Sequence, residues 1–175
     1  MVNVLLVYST TDGHTAKICQ YLQELIVRRQ HQVCLRELTG QPMPDLMDFD
    51  IIVIGASIRY GHHSKKVFQF INTYEEVLNQ RKNAFFSVNL VARKAGKNQP
   101  HNNPYMKLFL GRIRWQPQYL EVFAGKLNYP AYRFWDRQII RLIMWLTGGP
   151  TAAGTVIEYT DWQQVAAFAK LIAAL

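Results

Sequence analysis

The chain has 175 residues, 49% of them hydrophobic and 18% charged, with a formal net charge of +8. That length suits one domain with a full core, and that apolar content excludes a disordered chain. Two cysteines, Cys19 and Cys34, lack CxxC spacing, which fits buried thiols in a reducing compartment.

Val2 to Tyr8 is an apolar, β-branched run and predicts a strand. It breaks into Ser9-Thr10-Thr11-Asp12-Gly13-His14-Thr15, and a helix is predicted from His14 to Arg29. Ile18, Leu22, Leu25 and Ile26 recur on its core face at helical spacing. A strand that ends in a hydroxyl-rich loop and opens a helix is a phosphate cradle, because the first backbone N–H groups lack intrahelical partners and the dipole favours an anion. Val33 to Leu38 predicts a second strand. Ile51 to Ile54 predicts a strand buried on both faces of a parallel sheet, with Gly55 to Gly61 as its exit loop. Ser64 is placed to cap a helix carrying Val67, Phe70, Ile71, Tyr74 and Leu78. Ala84 to Leu90 predicts the next strand.

Arg93 to Pro104 is polar and basic. A short helix is expected over Tyr105 to Gly111, and a strand over Tyr119 to Ala124. Asn128 to Gly149 then interrupts the rhythm with aromatic and basic residues before Thr155 to Tyr159 resumes strand character. Asp161 caps a final helix, with Gln164 at the capping-box position. Met1 leads straight into a strand, so no signal peptide is expected. Ile139 to Leu146 is far shorter than the ~20 residues that span a bilayer.

Strands alternating with helices predict a parallel sheet covered on both faces. Ligands of such sheets bind beyond the carboxyl ends of the strands, at the switch point in strand order. Three loops leave those ends with distinctive chemistry: Ser9–Thr15, Gly55–Gly61 and Asn89–Lys94. The first has neither GxGxxG nor the glycine–lysine pattern of nucleotide hydrolases, which leaves a loop sized for a monophosphate. The charge is uneven as well. Val91 to Ile157 holds ten basic residues and two acids, which accounts for the whole excess of +8 and points to an anionic surface or substrate. No metal-ligand cluster and no nucleic-acid-binding module accompanies it.

The first loop resembles the phosphate loop of the flavodoxin family, with Thr10, Thr11, Gly13 and Thr15 at matching positions. Asp12 departs from the family, which commonly has a hydroxyl there. Three further stretches, GASIRYGHH from Gly55, FFSVNLVARK from Phe85 and YPAYRFWDRQIIRLIMWLTGG from Tyr129, resemble the menaquinone-dependent protoporphyrinogen oxidases, and the likeness runs along essentially the whole chain.

This resemblance implies an α/β fold, a flavodoxin-like doubly wound five-stranded parallel sheet. It would form a single domain over 1–175 with a basic, aromatic insert at 128–149 before the last strand segment. It implies FMN held by Ser9, Thr10, Thr11, Gly13, His14 and Thr15, by Ala56, Ser57, Ile58, Arg59, Tyr60 and Gly61, and by Asn89, Leu90, Val91 and Ala92. No aromatic lies between Asn89 and Lys94, which leaves one flavin face open for a substrate. The implied reaction is oxidation of protoporphyrinogen IX to protoporphyrin IX in heme biosynthesis, with electrons passed to menaquinone or ubiquinone. Arg59, Arg93 and Lys94 are the candidates for the substrate's propionates. His62 and His63 are the candidate proton acceptors, with a surface histidine pair as the alternative.

Arg133, Trp135, Arg137, Arg141 and Trp145 are candidates for contact with an anionic membrane, which would place the protein in the cytoplasm, peripheral on the inner face of the cell membrane. Alternatively the insert packs on the domain or joins two copies in a homo-oligomer. Two other functions stay open: a flavodoxin-type electron carrier, and a nicotinamide-dependent quinone reductase.

Overall fold

A computed structural model describes residues 1–175. Five parallel strands form its sheet: β1 (Asn3–Ser9), β2 (Gln32–Glu37), β3 (Ile51–Arg59), β5 (Lys82–Asn89) and β6 (Tyr119–Ala124). Their spatial order is β2-β1-β3-β5-β6. The order reverses direction between β1 and β3, so the loops after these two strands part there and leave a crevice. Register aligns the strand ends: Ser9 lies beside Ala56, Ala56 beside Ser87, and Asn89 beside Ala124.

Side chains of a strand alternate between faces, and each face has its own core. On one, Val4, Leu6, Val53 and Phe86 pack against Ile18, Leu22 and Ile26 of α1 (His14–Val27) and Val165, Phe168 and Ile172 of α6 (Trp162–Ile172). On the other, Leu5, Val7, Ile52, Ile54 and Phe85 pack against α2 (Lys65–Thr73), α3 (Glu75–Gln80) and α4 (Pro104–Leu110) through Val67, Ile71, Leu78, Met106 and Phe109. Gly55 is required on the α1/α6 face, since a Cβ there would lie 2.2 Å from the Phe86 ring.

Several expectations are corrected in detail. The helix expected from Ser64 onward breaks at Tyr74 into α2 and α3. Ser64 does cap it, accepting from the Lys66 amide at 3.3 Å. Asp161 caps α6 by accepting from the Gln163 and Gln164 amides. Gln164 does not complete a capping box. Its side-chain Nε2 donates instead to Glu121 and to the Val122 carbonyl, which ties α6 to β6.

The Gly55–Gly61 segment is not a loop. β3 continues to Arg59 and turns into β4 (His62–His63), with Ile58 opposite His63 and Arg59 opposite His62. Tyr60 and Gly61 make the two-residue turn at φ 49° and 80°, the positive-φ pair that a tight hairpin demands.

After β6, the chain forms β7 (Lys126–Asn128), then α5 (Phe134–Leu146), then β8 (Val156–Glu158). β8 pairs antiparallel with β7 and stands apart from the main sheet. Leu127, Tyr129, Tyr132 and Met144 make a small third core under α5. No helix is long and apolar enough to cross a membrane.

Candidate active site

The crevice is an open cleft lined by residues from all three loops, at the place where ligands of such sheets bind. Its floor is the three strand ends and its roof is α5. Thr10, Thr11, Asp12, His14 and Thr15 line it from the first loop, Ser57 through Gly61 from the hairpin, and Asn89, Leu90 and Val91 from the third loop. Twelve of the sixteen residues expected at the cofactor are therefore brought together.

The other four are placed elsewhere. Ser9 and Ala56 are still within the strands, Ala56 and Ala92 are buried in the core, and Gly13 lines a polar recess next door. A strand-end alanine that faces the helices cannot also face the crevice, because alternation sends neighbouring side chains to opposite sides.

At the start of α1, Gly13 caps the helix at φ 78° with no side-chain cap, and the first turn carries no acid. The Thr10 and Thr15 hydroxyl oxygens are buried and have no hydrogen-bond partner. Buried polar atoms are almost always satisfied, so two orphaned hydroxyls at an open helix start mark a place prepared for an acceptor-rich anion. A phosphate monoester fits both features. His14 stands beside them. Thr160 spends its one proton on the Ala124 carbonyl at 2.7 Å and therefore accepts from His14 Nε2 at 2.6 Å. Burial lowers the His14 pKa, with Glu158 opposing, and keeps the ring neutral.

Asp12 does not face the phosphate place. Both its oxygens take Arg59 Nη1, at 3.0 and 3.2 Å. Arg59 Nη2 reaches Asp136 in the first turn of α5 at 2.5 Å, and the Tyr60 hydroxyl donates to the same carboxylate. Burial disfavours the Arg59 charge, but Asp12, Tyr60 and Asp136 outweigh it and raise its pKa. The hydrogen bond from Tyr60, with Arg59 behind it, holds the Asp136 carboxyl below the usual range.

Arg93 does similar work at the other end of α5. It donates to the Leu90 carbonyl at 2.8 Å and to the Thr147 hydroxyl at 3.1 Å. Two arginines from the cofactor loops thus fasten the roof helix at both ends. Lys94 lies outside the cleft.

The two histidines are corrected. Neither lines the cleft. His62 is exposed, while His63 turns inward, bonds Ser87 at 3.0 Å and packs edge-on against Phe85 and Phe109. Desolvation, aided by His62, lowers the His63 pKa to about 3, so it takes no proton at neutral pH. Hairpin pairing is the cause: it sends adjacent residues to opposite faces.

Residues beyond the expected set complete the walls, among them Tyr105 from α4, Lys126 from β7, Tyr132 from the insert, Ile140, Ile143 and Met144 from α5, and Thr147 just after it. The aromatic side chains at the cleft are Tyr60, Tyr105 and Tyr132, none of them from the third loop. The signal available for the α5 residues was the spacing of Ile140 and Met144 on one side of an apolar run. That spacing becomes informative only once the helix is known to lie over the crevice.

The outward side of α5 is apolar too. Trp135, Ile139, Leu142 and Leu146, at i, i+4, i+7 and i+11, share one face and are all exposed, Trp135 to 75%. Trp145 and Phe134 flank them, and Arg133 is exposed beside them. Arg141 is half-buried, and its Nε donates to the Thr151 carbonyl at 2.8 Å.

Comparison with known proteins agrees with this architecture. A family model described as a flavodoxin domain matches residues 5–153, and membership of that family implies FMN as the cofactor. Flavodoxin 2 from Bacillus cereus superposes with a TM-score of 0.54 at 16% identity, covering 98% of each chain. Flavodoxin from Megasphaera elsdenii gives 0.54 at 14% identity over 68% of this chain and 84% of its own. Both likenesses are of fold. Protoporphyrinogen IX dehydrogenase (quinone) from Escherichia coli K12 is 41% identical over 99% of this chain and 96% of its own. The protein of the same name from Leishmania major is 41% identical over 98% of this chain and 74% of its own. The chain belongs to the flavodoxin-fold family of protoporphyrinogen IX dehydrogenases (quinone), oxidoreductases that match it over nearly all its residues.

Proposed function

We propose that this protein oxidises protoporphyrinogen IX to protoporphyrin IX with bound FMN and delivers the electrons to a membrane quinone. The observation that carries the reading is the pair of orphaned hydroxyls, Thr10 and Thr15, at the uncapped start of α1 inside a roofed cleft. Those hydroxyls, the first α1 amides and Thr11 would hold the FMN phosphate, while Ser57 to Gly61 and Asn89 to Val91 would border the ring. FMN supplies two-electron hydride chemistry when bound. The porphyrinogen loses six hydrogens in all, and three quinones carry them away as three quinols.

The chain's own part is positioning and enclosure. Tyr60, Tyr105 and Tyr132 wall the cleft with aromatic surface suited to a macrocycle. Neither His62 nor His63 faces it, so neither is placed to take a proton from the substrate. Residues 1–175 act as one FMN domain, and the 128–149 insert adapts it to the membrane. The exposed stripe Trp135–Ile139–Leu142–Leu146 would lie in the interface, with Arg133 and Arg137 toward anionic headgroups. That reading has the protein peripheral on the cytoplasmic face of the cell membrane, where anionic lipids favour basic side chains.

The test is direct. Purified protein loaded with FMN is mixed without air with protoporphyrinogen IX and either menaquinone or ubiquinone, and porphyrin fluorescence is followed. Quinone-dependent appearance of porphyrin is expected. FMN-loaded protein that forms none with either quinone overturns the reading.

A further inference from the structure

We propose that Asp136 is an exchangeable partner of Arg59: it holds the guanidinium, and with it the roof helix, until a carboxylate of the anionic substrate takes its place. The inference rests on the substrate class proposed above.

Arg59 is shared by two carboxylates, Asp12 on Nη1 and Asp136 on Nη2. The three side chains together sum to −1, at the mouth of a site in a chain of net charge +8. Asp136 is the only acid in the insert, among Arg133, Arg137 and Arg141. Fastening α5 does not by itself need an acid, because the other end is held by Arg93 on the neutral oxygens of Thr147. The acid at the mouth calls for a different reason.

Guanidinium geometry supplies it. The edge formed by Nε and Nη2 is a fork that takes one carboxylate through two parallel bonds. Asp136 uses only the Nη2 position. Arg59 Nε has no partner, and it is not among the buried unpaired atoms of the chain, so it remains accessible. A carboxylate arriving from the cleft gains both bonds of the fork where Asp136 had one. Asp12 stays on Nη1 throughout and keeps the guanidinium in place. The Tyr60 hydroxyl, released from Asp136, is free to bond the newcomer as well. Asp136 is thus a positioning residue: it stores Arg59 in the orientation that substrate needs and competes with substrate for it.

The variant Asp136→Asn, FMN-loaded, is compared with the parent protein on protoporphyrinogen IX and on its dimethyl ester, with quinone in excess. The expected result is a KM for the diacid lowered about 2- to 5-fold, the range for a partly exposed ion pair, with kcat changed less and KM for the ester unmoved. Asp136→Glu should restore the parent KM. A KM raised for acid and ester alike makes Asp136 a structural clip and overturns the proposal, as does no change in either. Binding of protoporphyrin IX and its dimethyl ester, followed by quenching of protein fluorescence, is measured in parallel. If the parent protein shows no turnover, the proposed function fails, and tighter binding of the diacid alone by Asp136→Asn still decides the exchange.

Discussion

Replacing Thr15 by valine should stabilise the cofactor-free protein and weaken its cofactor. Thr15 is 1% exposed, and its hydroxyl oxygen has no partner. A buried hydroxyl left unsatisfied costs on the order of 1–3 kcal/mol. Valine keeps the shape, drops the hydroxyl, and differs little from threonine in helix propensity. The cofactor-free variant should therefore gain about 1 kcal/mol, or about 2–4 °C in Tm for a chain of this size. The same hydroxyl, bonded to a charged phosphate, is worth about 1.5–3 kcal/mol, so Kd for FMN should rise about 10- to 150-fold. At FMN equal to 100 times the parent Kd, ligand linkage adds about 2.7 kcal/mol to the parent protein. A variant 10-fold weaker gains only about 1.4 kcal/mol under the same conditions. The melting advantage of the variant should thus disappear as FMN is added. Melting curves with and without FMN and a fluorescence titration of FMN measure both quantities. A variant that melts lower without FMN and binds FMN unchanged would refute the assignment of Thr15 to the phosphate.

Three further outcomes are expected. Gly55→Ala puts a Cβ 2.2 Å from the Phe86 ring, and such overpacking should cost about 1–3 kcal/mol, seen as a lower urea midpoint; an unchanged midpoint would mean the sheet yields there freely. His63 has a folded pKa of about 3, below its unfolded value near ~6.5, so between those pH values the unfolded chain binds the extra proton and stability falls as pH falls. The slope from this group should be about 1.4 kcal/mol per pH unit, and the stability difference between parent and His63→Gln should carry it in urea titrations at stepped pH. A difference that stays flat with pH rules out a buried neutral histidine. The paired change Trp135→Ser with Leu142→Ser should reduce sedimentation with anionic vesicles while moving stability by less than about 0.5 kcal/mol per site. Unaltered vesicle binding together with a changed elution volume would assign the stripe to a second copy of the chain instead.

What the sequence made legible follows from how local each signal is. β1, the α1 core face and β6 rest on periodicity and short-range alternation, and they stand where those patterns place them. The hydroxyl loop is local chemistry as well, and four of its residues besides Asp12 reach the cleft. The hairpin at Tyr60-Gly61 was hidden because tyrosine rarely takes positive φ. Its pairing is held by long-range contacts instead, including the bond from the Tyr60 hydroxyl to Asp136, 76 residues away. The separation of His62 from His63 was hidden for the same reason. Two adjacent histidines look equivalent until a strand assigns them to opposite faces, and only then does one become a core residue.

The basic excess of the Val91–Ile157 segment makes the same point about charge. As a sum it suggests a polyanion. In the fold, its members divide according to the oxygen atoms within reach. Arg93 and Arg141 are spent on backbone carbonyls and on Thr147, fixing the position of α5 and the loop after it. Arg133 remains exposed beside the apolar stripe. Arg59 lies outside that segment, where the chain is electrically balanced, yet it joins two carboxylates from distant elements at the mouth of the cleft. Arg59 is held by two carboxylates, whereas Arg93 and Arg141 are held by neutral carbonyl and hydroxyl oxygens. The net charge of a segment cannot distinguish these two uses; the identity of each partner oxygen can.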